Sequence, residues 1–139
     1  MRVVLDTNTV VSALLWGGIP DRLLVAATEG WIELYTSEPL LMELGEALAR
    51  PKFAQRIHKG GRTVSQLLEQ YRGLAELIEP ATITPAVLAD PDDDQVLACA
   101  LAARADLILS GDAHLLNLKA FQGIPIVDAS DALARLTQR

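Results

Sequence analysis

Short apolar runs rich in β-branched residues recur along the chain: "RVVLD" (2–6), "WIELYT" (31–36), "ATIT" (81–84), "LILS" (107–110) and "IPIV" (124–127). Helix-like stretches separate them. A helix between two strands carries the chain back to the starting edge, so successive strands run the same way. The alternation therefore predicts an α/β fold, a three-layer α/β/α sandwich with a central parallel sheet. The helical stretches carry their own punctuation. Residues 8–16 close at Gly17-Gly18, and Pro20 opens a helix through Glu29 that Gly30 stops. Ser37 with Pro39 starts a third helix, reaching about Ala49 before Pro51. Thr63 with Gln66 forms a capping box for a helix to about Leu77, and "SDALARL" (130–136) supplies the last.

The 139 residues, half of them hydrophobic and 22% charged, are enough for one domain with a real core. With no repeat, low-complexity tract or dividing linker, residues 1–139 read as a single domain. Cys99 is the only cysteine and sits in an apolar run, so no disulfide framework forms and a reducing cytoplasm is the expected location. No apolar run approaches the roughly 18 residues of a membrane span, and "MRVVLDTN" lacks a signal-peptide design. The net charge of −6 argues against non-specific coating of nucleic acid. It leaves room for a nuclease, whose metal site must itself be acidic.

The acids are placed unevenly. Asp6 ends the first strand, Asp112 follows "LILS" by two residues, and Asp90, Asp92, Asp93 and Asp94 crowd the start of a helix. In open parallel sheets ligands bind beyond the carboxyl ends of the strands. Three segments thus have the means to bring carboxylates to one sheet edge. Each also has a plainer reading. Asp90 suits a helix cap with Pro91 behind it, Asp92 and Asp93 offset the dipole, and Asp112 caps the short "AHLL" turn. Asp128, after the last strand, reads as a turn residue before Ser130. Glu43 adds a fourth acid: Leu40, Leu41, Leu44 and Leu48 mark a buried stripe, and Glu43 lies on its border.

"VVLDTNTVVSALLW", "SEPLLMELGEALARPKF" and "DPDDDQVLACALAARADLILSGDAHLL" together resemble PIN-domain proteins, most of all the VapC-like toxin components of prokaryotic toxin–antitoxin systems. The resemblance runs from about Arg2 to Val127. It implies the same parallel sandwich and a metal-dependent endoribonuclease whose catalytic and metal-binding acids fall on Asp6, Glu43, Asp93 and Asp112. The helix after the cluster is apolar nearly all round, so periodicity alone leaves Asp93 and Asp94 open. The family's spacing to its apolar pair favours Asp93, before Val96 and Leu97. Thr7, Asn8, Asp94 and Ser110 are then candidates for holding waters or orienting carboxylates. The resemblance further implies an antitoxin partner and a homodimer.

Hydrolysis of a phosphodiester needs neutralised charge and an activated water, which one or two Mg2+ or Mn2+ ions supply. Hard ions of this kind prefer carboxylate and water oxygens, and no Cys/His spacing here suits zinc. For the RNA itself, "RPKFAQRIHKGGR" concentrates Arg50, Lys52, Arg56, Lys59 and Arg62 without an acid. A helical arm with this charge would hold phosphate backbone; a solvated loop is the plainer alternative. His58 belongs to the same exposed stretch. Two other functions remain in view. One is an inactive RNA- or protein-binding module. The other is a haloacid-dehalogenase-like phosphatase, although Asn8 stands where that chemistry needs a second acid.

Overall fold

In the computed structural model, which describes residues 1–84 and 91–137, the elements run β1 (Arg2–Leu5), α1 (Thr7–Leu15), α2 (Ile19–Thr28), β2 (Glu33–Thr36), α3 (Glu38–Leu48), α4 (Pro51–Lys59), α5 (Val64–Leu74), β3 (Ala75–Leu77), α6 (Pro91–Ala103), β4 (Leu107–Leu109), α7 (Ala113–Leu116), β5 (Ala120–Phe121), β6 (Ile124–Val127) and α8 (Ala129–Thr137). Among the described residues the strands form one sheet in the order β3-β2-β1-β4-β6-β5. Every pairing is parallel except β5 with β6, a short antiparallel ribbon on one edge.

Pleating sends successive side chains to opposite faces, which divides the core in two. Val3, Leu5, Leu107 and Leu109 pack with α1, α2, α3, α5 and α8 on one face. Val4, Ile108 and Ile126 pack with α6 and α7 on the other. This is the α/β/α sandwich that the alternation predicts. The continuous apolar face of α6 follows: Val96, Leu97, Cys99 and Ala100 are all buried against the sheet. Cutting Leu97 back to Ala would cost about 2–5 kcal/mol by the usual cavity penalty.

Ser37 and Thr63 cap helices where the sequence places them, and Asp6 adds a cap beyond those expected. Asp6, Ser37 and Thr63 each accept from a backbone N–H in the first turn of α1, α3 and α5, and the Thr63–Gln66 box is reciprocal. Gly30 takes the positive φ of 84° that ends α2's exit turn. The expected cap at Asp90 lies outside the described residues.

Two expectations fail. The capping-box helix ends at Leu74 rather than Leu77, because Ala75, Glu76 and Leu77 pair with Leu34, Tyr35 and Thr36 as an edge strand. Strand pairing outweighs a weak helical continuation just past Gly73. Residues 81–84 form no strand. Ala81 instead donates to the Ala98 carbonyl of α6 at 3.1 Å, and Ile83 packs into the second core.

From β1 the sheet grows through β2 and β3 to one side and through β4 and β6 to the other. The reversal falls between β1 and β4, where a doubly wound sheet opens a crevice at its carboxyl edge. No single helix among the described residues is long and apolar enough to cross a membrane.

Candidate metal centre

Asp6 stands at that crevice. Its backbone N–H donates to the Leu109 carbonyl at 2.9 Å, fixing the end of β1 to the end of β4. One carboxylate oxygen accepts from the Thr9 N–H at 2.8 Å as the cap of α1. The other accepts the Ser110 hydroxyl at 2.5 Å. Asp6 is only 4% exposed. A carboxylate so placed needs donors, and Ser110 and Thr9 supply them without a basic residue.

Ser110 links Asp6 to the next segment, since its oxygen also accepts the Asp112 N–H at 2.9 Å. Asp112 caps α7 by accepting the His114 N–H at 2.8 Å. That tight turn sets the His114 Nδ1 3.6 Å from Asp112 Oδ1. Asp93, 7% exposed at the start of α6, comes to the same place from the neighbouring helix of the same layer. Asp93, Asp112 and His114 each offer one ligand atom, and these atoms lie within 4.8 Å of one another.

Of the four expected acids, Asp6 and Glu43 fall outside this three-residue group. Asp94 is half-buried and outside it. Glu43, on the second turn of α3, lines a shallow cleft with Met42, Glu46 and Gln95, so it reaches the flank of α6 two residues beyond Asp93. Asn8 is exposed and lines a cleft of about 460 Å³ with Ser110, Gly111, Asp112 and Asp128. Asp128, expected as a turn residue before Ser130, accepts from the Asp131 N–H at 2.8 Å. Thr7 is buried, and its hydroxyl has no hydrogen-bond partner among the described residues. An oxygen-rich donor set, with Asp93 buried, Asp112 half-buried and His114 exposed, fits a hard divalent cation.

Behind Asp6 the protein is closed. Tyr71 and Cys99 are buried there, and burial pushes both upward, the thiol to about 12 and the phenol above its ordinary range. The Asp6 carboxylate adds to the rise at Tyr71, and a Ser37 hydrogen bond offsets part of the rise at Cys99. Neither supplies a reactive group at neutral pH.

The basic arm is a helix, α4, but its charges divide into two kinds. Arg56 donates Nε to the Leu15 carbonyl at 2.6 Å and lies over the Trp16 ring at 4.7 Å. Arg62 donates to the Leu14 carbonyl at 3.0 Å and to Gln70 at 2.8 Å. Both satisfy carbonyls at the C-terminal end of α1, where orphan acceptors need donors. Lys52 sits over Phe53, while Arg50 and Lys59 are exposed without an ion pair among the described residues. Asp6 caps the start of α1 and these arginines hold its end, about 13 Å away by helical rise.

His114 escapes sequence reasoning. The signal was the two-residue step from Asp112 across a capped turn: the cap fold that explains Asp112 structurally also turns residue 114 back beside it.

A PIN-domain family model matches residues 2–114. No curated protein matches the chain in sequence. Among solved structures the chain is similar to that of VapBC2 from Rickettsia felis bound to a DNA fragment from its promoter, with 15% identity and a TM-score of 0.59 over 91% of this chain and 97% of that one. At that identity the likeness speaks for the fold. The family match spans Asp6 on β1, Asp93 on α6 and Asp112 after β4, and with this sandwich around them the chain belongs to the PIN-domain family.

Proposed function

We propose that this chain is a metal-dependent endoribonuclease that hydrolyses RNA phosphodiester bonds, acting as the toxin component of a toxin–antitoxin pair. The observation that carries the reading is the meeting of buried Asp93 with Asp112 within 4.8 Å, beside an Asp6 fixed through Ser110 at the sheet's switch point.

Asp6, Asp93 and Asp112 are the residues that would hold Mg2+ or Mn2+, with Glu43 as a further ligand or as a general base through a water. When bound, the ion supplies charge neutralisation at the scissile phosphate and lowers the pKa of water. The chain's own residues set the frame. Ser110 fixes the rotamer of Asp6 and the backbone of Asp112 with one hydroxyl. Arg50, Lys52 and Lys59 would hold phosphates further along the strand, while Arg56 and Arg62 keep α4 against α1. The family resemblance, together with the fold shared with VapBC2, supports an antitoxin as protein partner and a second copy of the chain as dimer mate.

The test is cleavage of a defined RNA by the purified protein, with Mg2+ or Mn2+ and with chelator, mapping the product ends. Metal-dependent cleavage lost in Asp6→Asn, Asp93→Asn, Asp112→Asn and Glu43→Gln is the expected result. Cleavage that survives in Asp93→Asn, or that needs no metal, overturns the proposal. Metal-loaded protein without cleavage points to a binding module, and turnover of small phosphate esters points to a phosphatase.

A further inference from the structure

We propose that His114 is a nitrogen ligand of this centre and biases it toward Mn2+ and later first-row ions over Mg2+. The inference rests on the metal-centre reading above and concerns which ion the centre takes.

The geometry brings His114 in from the open side. Asp112 accepts the His114 N–H, closing a turn that places the imidazole beside the carboxylate, with Nδ1 3.6 Å from Oδ1. Asp93 reaches the same point from α6. Ligand atoms about 2.1 Å from a shared ion lie about 3 Å apart when adjacent and about 4 Å apart when opposite. The observed spread, within 4.8 Å, therefore needs only a small inward movement. The mobile member is evident. The His114 side chain is 56% exposed in the first turn of a four-residue helix, whereas Asp93 is 7% exposed in a packed one.

The chemistry of the donors decides the preference. Two carboxylates alone would suit Mg2+, which keeps an oxygen shell and gives up water reluctantly. Imidazole binds Mn2+ weakly and Co2+, Ni2+ or Zn2+ better, whereas Mg2+ gains little from it. One histidine beside two aspartates leaves an open, mixed nitrogen–oxygen site. The rival role for His114 is a solvent-screened ion pair with Asp112, which would not alter metal choice.

The two roles separate in titrations of the full-length protein with Mg2+, Mn2+ and Co2+ by calorimetry, comparing wild type, His114→Ala and Asp93→Asn. Pulsed electron paramagnetic resonance of bound Mn2+ adds a direct reading of nitrogen coupling. His114→Ala should weaken Co2+ and Mn2+ by at least about tenfold, the scale at which a lost metal-site partner is felt. Mg2+ affinity should stay unchanged, and the nitrogen coupling should vanish. Melting in chelator confirms that the exposed substitution leaves the fold intact. If Asp93→Asn loses Mn2+ while His114→Ala binds it like wild type, the histidine inference is overturned and the centre stands. If neither variant changes Mn2+ binding, the metal-centre reading fails with it.

Discussion

Ser110 donates its hydroxyl hydrogen to Asp6 across the seam between β4 and β1, and both residues are almost fully buried. The same oxygen accepts the Asp112 N–H, so one small side chain aligns two acids that come from distant parts of the sequence. Ser110→Ala would leave a buried carboxylate oxygen short of its donor and the Asp112 N–H without its acceptor. Stability should fall by about 1–3 kcal/mol, the cost of stranding a buried polar group. RNA cleavage, on the proposed function, should fall by about 10–100-fold, as when the support of a metal ligand is lost. Urea melts in chelator and single-turnover cleavage assays check the two effects separately. A variant as stable and active as wild type would falsify the aligning role.

Metal loading should be visible without any substrate. An ion that binds only the native state raises stability by about 2.7 kcal/mol at a hundredfold excess over its Kd. Mn2+ or Mg2+ should thus raise the melting temperature of wild type, and Asp93→Asn should remove that increment. Scanning calorimetry with metal and with chelator makes the comparison. Equal increments in both proteins would remove Asp93 from the ligand set.

The fold was largely legible because its signals are local. Short β-branched runs, capping residues and helix stops mark α1, α2, α3, β6 and the start of α5 within a residue or two. What escaped was set by pairing and by turns. The strand at Ala75–Leu77 exists because β2 offers it a free edge, a fact that lies 40 residues away in the chain. The reading of "ATIT" as a strand had the right residue types, but its backbone turns to α6 instead, through the Ala81 bond to Ala98. At the site, a carboxylate's place at a strand end is a sequence pattern, which is why Asp6 and Asp112 stand out as candidates. The preference for Asp93 over Asp94 comes only from the family's spacing, since the helix behind them is apolar on nearly every side. His114 depended on a turn geometry that no periodicity reports. The basic run was legible as charge, but which arginines were bound to carbonyls was not.

That division of the arm has a measurable consequence. Arg56→Ala and Arg62→Ala each remove a charged donor from the end of α1, and Arg56 also loses its stacking on Trp16. Both side chains are solvent-exposed, so screening holds the expected loss to about 1 kcal/mol each. Replacing Arg50, Lys52 and Lys59 together by Ala should leave the melting midpoint nearly unchanged. It should instead weaken RNA binding and flatten its salt dependence by up to about three phosphate contacts. Filter binding across a salt series, set beside urea melts, tests the split. The reverse pattern, with unstable lysine variants and RNA-binding arginines, would mean the arm's roles are exchanged.

Alkaline pH should expose the closed layer behind Asp6. Burial raises the Cys99 thiol from 9.0 to about 12 and raises the Tyr71 phenol above its ordinary 10.0. Both groups are neutral when protonated, so the native state keeps protons that the unfolded chain releases. Their contribution is complete below about pH 9 and is lost as pH climbs toward the native values. Stability should decline by about 1.4 kcal/mol per pH unit from the thiol alone, with a steeper fall once the phenol joins above 10.0. Cys99→Ala should remove the first component and Tyr71→Phe the second. The tyrosine change should cost little at neutral pH, because the hydroxyl it removes is buried without a hydrogen-bond partner among the described residues. Urea melts of the three proteins between about pH 8 and about pH 11 give the slopes directly. A wild-type slope that persists in both variants would assign the alkaline loss to other groups. A large neutral-pH cost for Tyr71→Phe would show that the phenol is hydrogen-bonded after all.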